Sequence, residues 1–216
     1  MPTITDIKMF KKSGKRECKI TLDNNQTLKI TEEICRQYGL NDSEKISNDR
    51  LREMEMSDNV LRAIIDVQRF VDYRLRTRQE LFVRLKSRGW HADIIDEAIK
   101  RFENLGIIND ERFARQWVDE RLRNRPIGLN LVRVKLKQKG ISSEIIDCVL
   151  DGQGANNKEE ELAYNTLYRQ LYRYVTLERD TANRRMVAFL GRRGFTPGII
   201  YNVVHRILDE IQETKN

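Results

Sequence analysis

The sequence predicts a mainly α-helical protein in which three tandem three-helix repeats follow a small antiparallel β-rich N-terminal segment. The strongest observation is one residue pattern that occurs three times, in residues 81–99, 132–150 and 186–204. A pattern that returns at a period of about fifty residues is typical of repeat proteins. A second observation is that residues 1–58 follow a different pattern, with short β-prone stretches separated by turn residues.

Each copy of the pattern is centred on a glycine, which is Gly89, Gly140 or Gly194. Before the glycine, apolar residues are spaced four apart, as Leu81 and Leu85 are, and this spacing forms one face of a helix. The glycine fits the position just after a helix, where the backbone is left-handed and a Cβ is unfavourable. Each copy therefore predicts a helix that ends at its glycine.

A further helix is predicted to begin two residues after each glycine. Ser142 and Thr196 stand there and are favourable N-cap residues, and Pro197 falls at the first helical position. His91 occupies the equivalent position in the first copy. Apolar residues at helical spacing also predict an earlier helix in each repeat, in residues 59–75, 110–123 and 158–173.

Residues 132–137 are the one stretch that fits two structures. Their apolar and basic residues alternate with a period of two, which is a strand pattern. We interpret them as a helix because the equivalent residues of the other two copies do not alternate, and the strand stays as the alternative.

The N-terminal segment predicts strands in residues 3–10, 17–22 and 26–30, which turn residues separate. Thr31 is expected to cap a short helix at 32–38. Residues 50–58 are expected to connect this segment to the first repeat.

We therefore expect four regions. The first is the β-rich segment 1–58, and the three repeats occupy 59–107, 108–155 and 156–216. Residues 151–157 (DGQGANN) join the last two repeats and are expected to act as a hinge.

No sequence pattern indicates catalysis, a metal or a cofactor. The two histidines, His91 and His205, have no neighbouring ligand cluster, and no phosphate-binding glycine loop or nucleophile elbow occurs. Cys18, Cys35 and Cys148 lack paired or metal-like spacing and fit the reduced cysteines of a cytosolic protein. The sequence has no signal peptide and no membrane-length apolar run, so we expect a cytoplasmic protein. We also expect a monomer and, since no catalytic motif occurs, a protein that is not an enzyme.

The net charge of +7 is unevenly distributed. Residues 1–58 hold 11 basic and 11 acidic side chains, whereas residues 59–216 hold 29 basic against 22 acidic. The excess lies mainly in and around the second helix of each repeat, which predicts a basic binding surface for phosphates or an acidic protein. The alternative is that these are ordinary solvated helix faces. The predicted surface comprises Arg74, Arg76, Arg78, Arg84, Lys86, Arg88, Arg121, Arg123, Arg125, Arg133, Lys135, Lys137, Lys139, Arg184, Arg185, Arg192 and Arg193.

Several motifs in the right order resemble the bacterial recombination regulator RecX family, in a longer form with a β-rich N-terminal extension. They are LGIINDERFA at 105–114 followed by Trp117 and Val118, LVRVKLKQKG at 131–140 followed by Ile141, and Leu81, Leu85, Arg88 and Gly89 of the first repeat. The resemblance covers roughly residues 60–205 and is looser in the third repeat.

The resemblance implies a regulator that is not an enzyme and needs no cofactor. Such proteins bind the RecA–single-stranded DNA filament and inhibit RecA recombinase, ATPase and co-protease activities, which affects recombination, DNA repair and the SOS response. Two alternatives are a general nucleic-acid-binding helical module, for single- or double-stranded DNA, and a scaffold for an unrelated protein. Trp90, Phe113 and Trp117 could stack on bases, but we expect all three in the core.

Overall fold

The structure, a computed structural model, describes residues 1–12, 14–151 and 155–215. The chain divides into two compact units. The first unit contains Met1–Arg74 and Leu81–Ile108, and the second contains Leu75–Glu80 and Asn109–Asn216. Each unit is described separately.

The first unit begins with the predicted antiparallel sheet. Strands β1 (Ile4–Lys12), β2 (Lys15–Leu22) and β3 (Thr27–Thr31) pair in that order. The short helix α1 (Glu32–Gln37) follows directly. One face of the sheet and α1 enclose a small core, whose members include Ile4, Cys18, Ile20, Leu22, Ile30, Ile34, Cys35, Ile46 and Met54. The three strands and the helix expected from the sequence are thus confirmed.

A long helix, α2 (Asn48–Tyr73), follows the sheet. Its N-cap is Ser47, whose hydroxyl oxygen accepts a hydrogen bond from the Arg50 N–H at 3.1 Å. The first helix of the repeat was expected to begin at residue 59, but it begins at Asn48, so that residues 50–58, the expected connection, are the first part of this helix. Met54, within this first part, packs in the core of the sheet.

A buried carboxylate joins α2 to the sheet. Asp58 is 4% exposed and accepts from the Thr31 N–H at 2.7 Å and from Arg62 Nε at 2.6 Å. Arg62 also reaches Glu17 on β2 at 3.0 Å. Because a buried charge is costly without partners, this network fixes the position of the helix on the sheet.

The first repeat contains α2, α3 (Arg78–Lys86) and α4 (Ala92–Asn104). Its core is apolar throughout and is built from Val60, Ala63, Val67, Phe70, Leu81, Leu85, Ile94, Ile95, Ala98, Ile99, Phe102 and Ile108. The apolar pair Leu81 and Leu85, four residues apart, is fully buried, as the helical spacing predicted.

The second repeat contains α5 (Asp110–Asn124), α6 (Leu129–Gln138) and α7 (Ser143–Asp151). Residues 132–137 lie inside α6, which confirms the helix and rejects the strand. In a helix, Val132 and Leu136 share the buried face, whereas Val134 is left 48% exposed. The alternation therefore reflects an exposed valine and not a sheet.

The third repeat contains α8 (Ala155–Tyr168), α9 (Arg179–Arg192) and α10 (Pro197–Lys215). The first helix was expected to run through residue 173, but it ends at Tyr168 and a 3₁₀ turn (Leu171–Arg173) follows. Pro197 begins α10 as predicted. The expected hinge at 151–157 includes residues 152–154, which lie outside the described residues.

The three predicted glycine turns have the same geometry. The φ angles of Gly89, Gly140 and Gly194 are +90°, +79° and +78°, in the region that other residues rarely adopt. In each turn the residue after the glycine donates its N–H to a carbonyl five residues earlier: Trp90 to Leu85 at 3.3 Å, Ile141 to Leu136 at 3.1 Å and Phe195 to Leu190 at 3.4 Å. Such closure satisfies carbonyls at the helix end, so the repeat is a structural unit and not only a sequence pattern.

Candidate partner-binding surface

In the second unit, each glycine turn contacts the start of the second helix of the preceding repeat. The carbonyl oxygen before Gly140, that of Lys139, accepts from the Thr77 hydroxyl at 2.7 Å. The carbonyl oxygen before Gly194, that of Arg193, accepts from the Gly128 N–H at 2.8 Å. Thr77 and Gly128 are equivalent in the repeat alignment, so equivalent positions donate to the equivalent turn carbonyl, through a hydroxyl in one case and a backbone N–H in the other.

A carboxylate from the following repeat completes each of these helix starts. Asp110 accepts from the Arg78 N–H of α3 at 2.9 Å, and Glu159 accepts from the Leu129 N–H of α6 at 2.9 Å. An acidic group is favourable there because a helix N-terminus carries partial positive charge. Glu159 is almost fully buried, and its burial raises its pKa above the ordinary value.

The cations immediately before the glycines are engaged within the protein. Arg88 pairs with Asp66 at 2.9 Å and lies 4.9 Å from the Phe70 ring centroid. Lys139 pairs with Glu80 at 2.8 Å. Arg88 and Lys139 therefore each attach a glycine turn to a neighbouring helix, and removing either side chain would disturb the fold as well as the surface.

Other predicted surface residues also have internal partners. Arg193 lies 4.5 Å from the ring centroid of Phe189, and its Nε is buried without a hydrogen-bond partner. Arg121 and Arg84 stack over rings at 5.3 and 4.8 Å, those of Trp117 and Phe70. Further internal contacts involve Arg133 (with Asp147), Arg184 (with Thr181 and the Asp180 carbonyl) and Arg74, Arg76 and Arg78.

The remaining predicted cations are exposed and form no ion pair within the described residues. Lys135 makes only a 3.3 Å hydrogen bond to Gln138. The members of this group, which we call the free cations, are Lys86 in the first unit and Arg123, Arg125, Lys135, Lys137, Arg185 and Arg192 in the second. Since their charges are not neutralised by a neighbour, they contribute most to the positive potential available to a partner.

The free cations of α3 and α6 each accompany an exposed valine. Val83 and Val134 are equivalent in the repeats and are 57% and 48% exposed. Lys86 stands three residues after the first valine, and Lys135 and Lys137 stand one and three residues after the second. Helices α3 and α6 thus each offer an apolar contact beside cations, a combination that suits a macromolecular partner better than a small ion.

The structure confirms that the large aromatic residues considered for base stacking belong to the core or its edge. Phe113 is buried, whereas Trp90 and Trp117 are half-buried and pack against their cores. Trp90 Nε1 also donates to Asp66 at 3.2 Å. The exposed aromatic residues of the third repeat are tyrosines, and the sequence interpretation did not identify them.

Cys18 and Cys35 lie close together although their spacing suggested no pair. Their sulfur atoms are 3.1 Å apart in the buried core of the sheet, and both are free thiols. Burial, with Cys35 adjacent, raises the pKa of Cys18 to about 12. Within the described residues no group of His, Cys, Asp and Glu side chains could hold a metal ion. No helix there is sufficiently long and apolar to cross a membrane.

These features define a helical-repeat protein with exposed cations on its second helices. Comparisons with known proteins specify the class further. The family description "RecX, first three-helix domain" matches residues 67–102, and "RecX, second three-helix domain" matches residues 109–150.

Relatives named "Regulatory protein RecX" match much of the chain. The one from Mycobacterium leprae is 35% identical over 150 residues, which cover 69% of this chain and 87% of the relative. The one from Mycolicibacterium smegmatis is 32% identical over 166 residues, which cover 76% and 85%. The chain therefore belongs to the RecX family of regulatory proteins.

Solved structures agree with this fold. A crystal structure of regulatory protein RecX aligns with a TM-score of 0.74 at 20% identity and covers 94% of this chain and 98% of that one. A crystal structure of RecX from Lactobacillus salivarius aligns with a TM-score of 0.65 at 23% identity and covers 70% and 97%.

Proposed function

We propose that this protein binds the RecA–single-stranded DNA filament and inhibits the recombinase, ATPase and co-protease activities of RecA. By doing so it modulates homologous recombination, DNA repair and the SOS response. Membership of the RecX regulatory family is the observation that carries this proposal. The protein acts by binding and not by catalysis.

The free cations support the proposal physically. A RecA filament on DNA presents phosphates, and unneutralised lysine and arginine side chains gain affinity for them by releasing condensed counterions. Lys135 and Lys137 on α6 are the strongest candidates, because both are exposed and neither forms an ion pair within the described chain. We assign contact with the filament to the free cations first, and structural roles to Arg88, Lys139 and Arg193.

The experiment reverses the charge of α6 without damaging the fold. The variant carries Lys135→Glu and Lys137→Glu, and it leaves Lys139 intact because a glutamate there would face Glu80 across a 2.8 Å contact. The control carries Lys29→Glu and Lys100→Glu, which change the net charge equally. Both control lysines are exposed, form no ion pair in the described chain, and lie outside the second helices.

Inhibition of the single-stranded-DNA-dependent ATPase of RecA is compared for the three proteins. We expect the α6 variant to need at least tenfold more protein for half-inhibition, since each lost phosphate contact weakens salt-dependent binding. The control should inhibit like the wild type. Equal inhibition by the α6 variant and the control would contradict the assigned surface. Salt-sensitive DNA binding by a wild-type protein with no effect on RecA would instead identify a general nucleic-acid-binding module.

A further inference from the structure

Strongly exposed aromatic rings in the described chain are concentrated in the third repeat. Tyr168, Tyr172 and Tyr201 are 51%, 71% and 64% exposed, and the only comparable ring among the described residues is Tyr73 at the end of α2. Exposed aromatic rings that the core does not require are candidates for contact with a partner, because a ring face gains much from desolvation. The cluster in one repeat therefore needs an explanation beyond folding.

Two of the tyrosines of α8 form a supported stack. The rings of Tyr164 and Tyr168 have centroids 5.6 Å apart and planes inclined by 21°. The Arg206 guanidinium lies 4.2 Å from the Tyr164 ring centroid. Glu210 orients both partners, since it accepts from the Tyr164 hydroxyl at 2.8 Å and from Arg206 Nε at 3.1 Å. Tyr168 is the exposed member of an ordered arrangement of rings.

Cations follow the stack immediately in the chain. Residues 168–173 read YRQLYR, so that two Tyr-Arg pairs stand four residues apart. Arg169 and Arg173 are exposed, and neither forms an ion pair within the described residues. Arg173 instead uses its guanidinium to bond the hydroxyl oxygen of Tyr172 at 3.1 Å and Gln170 at 3.0 Å. The acidic residues of α8 nearest the stack, at 160 and 161, line a surface cavity together with Tyr164 and Arg206, and the two Tyr-Arg pairs lie outside that cavity.

We propose that this tyrosine–arginine surface, made of Tyr164, Tyr168, Arg169, Tyr172, Arg173 and Arg206, binds the unpaired bases of a single-stranded nucleic acid. A base stacks on Tyr168, with Tyr172 as a second ring, while Arg169 and Arg173 contact phosphates. Ring faces and cations together are the usual means of holding single strands without reading sequence. A duplex stacks its bases internally and offers no free base face to these rings.

This inference goes beyond the proposed function and does not rest on it, because its test omits RecA. The affinity of the full chain for a fluorescently labelled oligothymidylate is measured by anisotropy. Tyr168→Ala should weaken binding about tenfold, since stacking on one ring contributes at this level. Tyr168→Phe keeps the ring and should bind like the wild type. Tyr73→Ala is the control, because Tyr73 is a still more exposed tyrosine that lies outside this surface.

Two further probes distinguish base stacking from charge attraction. An abasic strand of equal length keeps the phosphates and lacks the bases. The wild-type protein should therefore bind the abasic strand about as weakly as the Tyr168→Ala variant binds the oligothymidylate. Arg169→Gln with Arg173→Gln should lower the salt dependence of binding, which the tyrosine variants leave unchanged.

Two results would overturn the inference. One is wild-type affinity of Tyr168→Ala for the oligothymidylate, and the other is equal binding of the abasic strand. If the first result came together with loss of RecA inhibition, the surface would belong to a protein partner. Loss of RecA inhibition by the α6 charge reversal alone would leave this inference unaffected.

Discussion

Replacing a turn glycine with alanine has two free-energy costs, one for holding alanine in a left-handed backbone and one for overpacking by the added Cβ. Gly89 and Gly194 differ in the second cost. At Gly89 the backbone is left-handed at φ +90°, but nothing lies within 4 Å of an added Cβ. At Gly194 the backbone is similar, and the added Cβ would meet the Leu131 backbone N at 2.6 Å as well as the Leu131 Cβ. Gly194→Ala must therefore displace α6, whereas Gly89→Ala need not displace anything.

The expected magnitudes follow from this geometry. A left-handed alanine costs about 1–2 kcal/mol of unfolding free energy. Overpacking against a fixed backbone adds about 1–3 kcal/mol. We expect Gly89→Ala to lose only the first amount, and Gly194→Ala to lose about 2–5 kcal/mol. Urea unfolding followed by far-UV circular dichroism measures both. Equal losses within a few tenths of a kcal/mol would refute the role of Gly194 in docking one repeat on the next.

Three other predictions concern buried polar groups. Burial raises the folded-state pKa of Glu159, so the stability of the wild type should fall as pH rises through that pKa. The Glu159→Gln variant should show a weaker dependence of stability on pH and be at least as stable as the wild type at neutral pH. Unfolding midpoints measured across pH test both expectations. Asp58→Ala leaves the Thr31 N–H without its acceptor and leaves Arg62 paired with Glu17 alone, and it should cost about 1–3 kcal/mol in chemical unfolding. A thiol reagent at mildly alkaline pH should modify exposed Cys148 rapidly and buried Cys18 only after unfolding, because the pKa of Cys18 is raised to about 12. Mass spectrometry of the labelled peptides measures both reactions.

The helix, turn and helix of each repeat could be predicted because their determinants are local. A left-handed glycine, a cap residue and apolar residues spaced four apart are all visible within about twenty residues. The same local reading placed the start of α2 at residue 59, whereas the helix begins at Asn48, and its first part packs on the sheet through Met54. It also missed the end of α8 at Tyr168, where no glycine or proline marks the change.

The site was less predictable, because whether a cation is free depends on residues far away in sequence. Lys139 is neutralised by Glu80, 59 residues earlier, while nearby Lys137 is free within the described chain. Both belong to the same basic run of α6, and no local signal distinguishes them. The carboxylates of Asp110 and Glu159, which cap the starts of α3 and α6 from the next repeat, could not be predicted for the same reason.

The most direct test of the proposed regulation of RecA is a titration of this protein into the single-stranded-DNA-dependent ATPase of its cognate RecA. The protein is added at concentrations well below that of RecA. We predict strong loss of ATP turnover at these substoichiometric amounts, because a regulator that acts on an assembled filament affects many RecA subunits per bound molecule. Competition with RecA for DNA would need far more protein. Unchanged turnover even at equimolar protein would contradict the proposal.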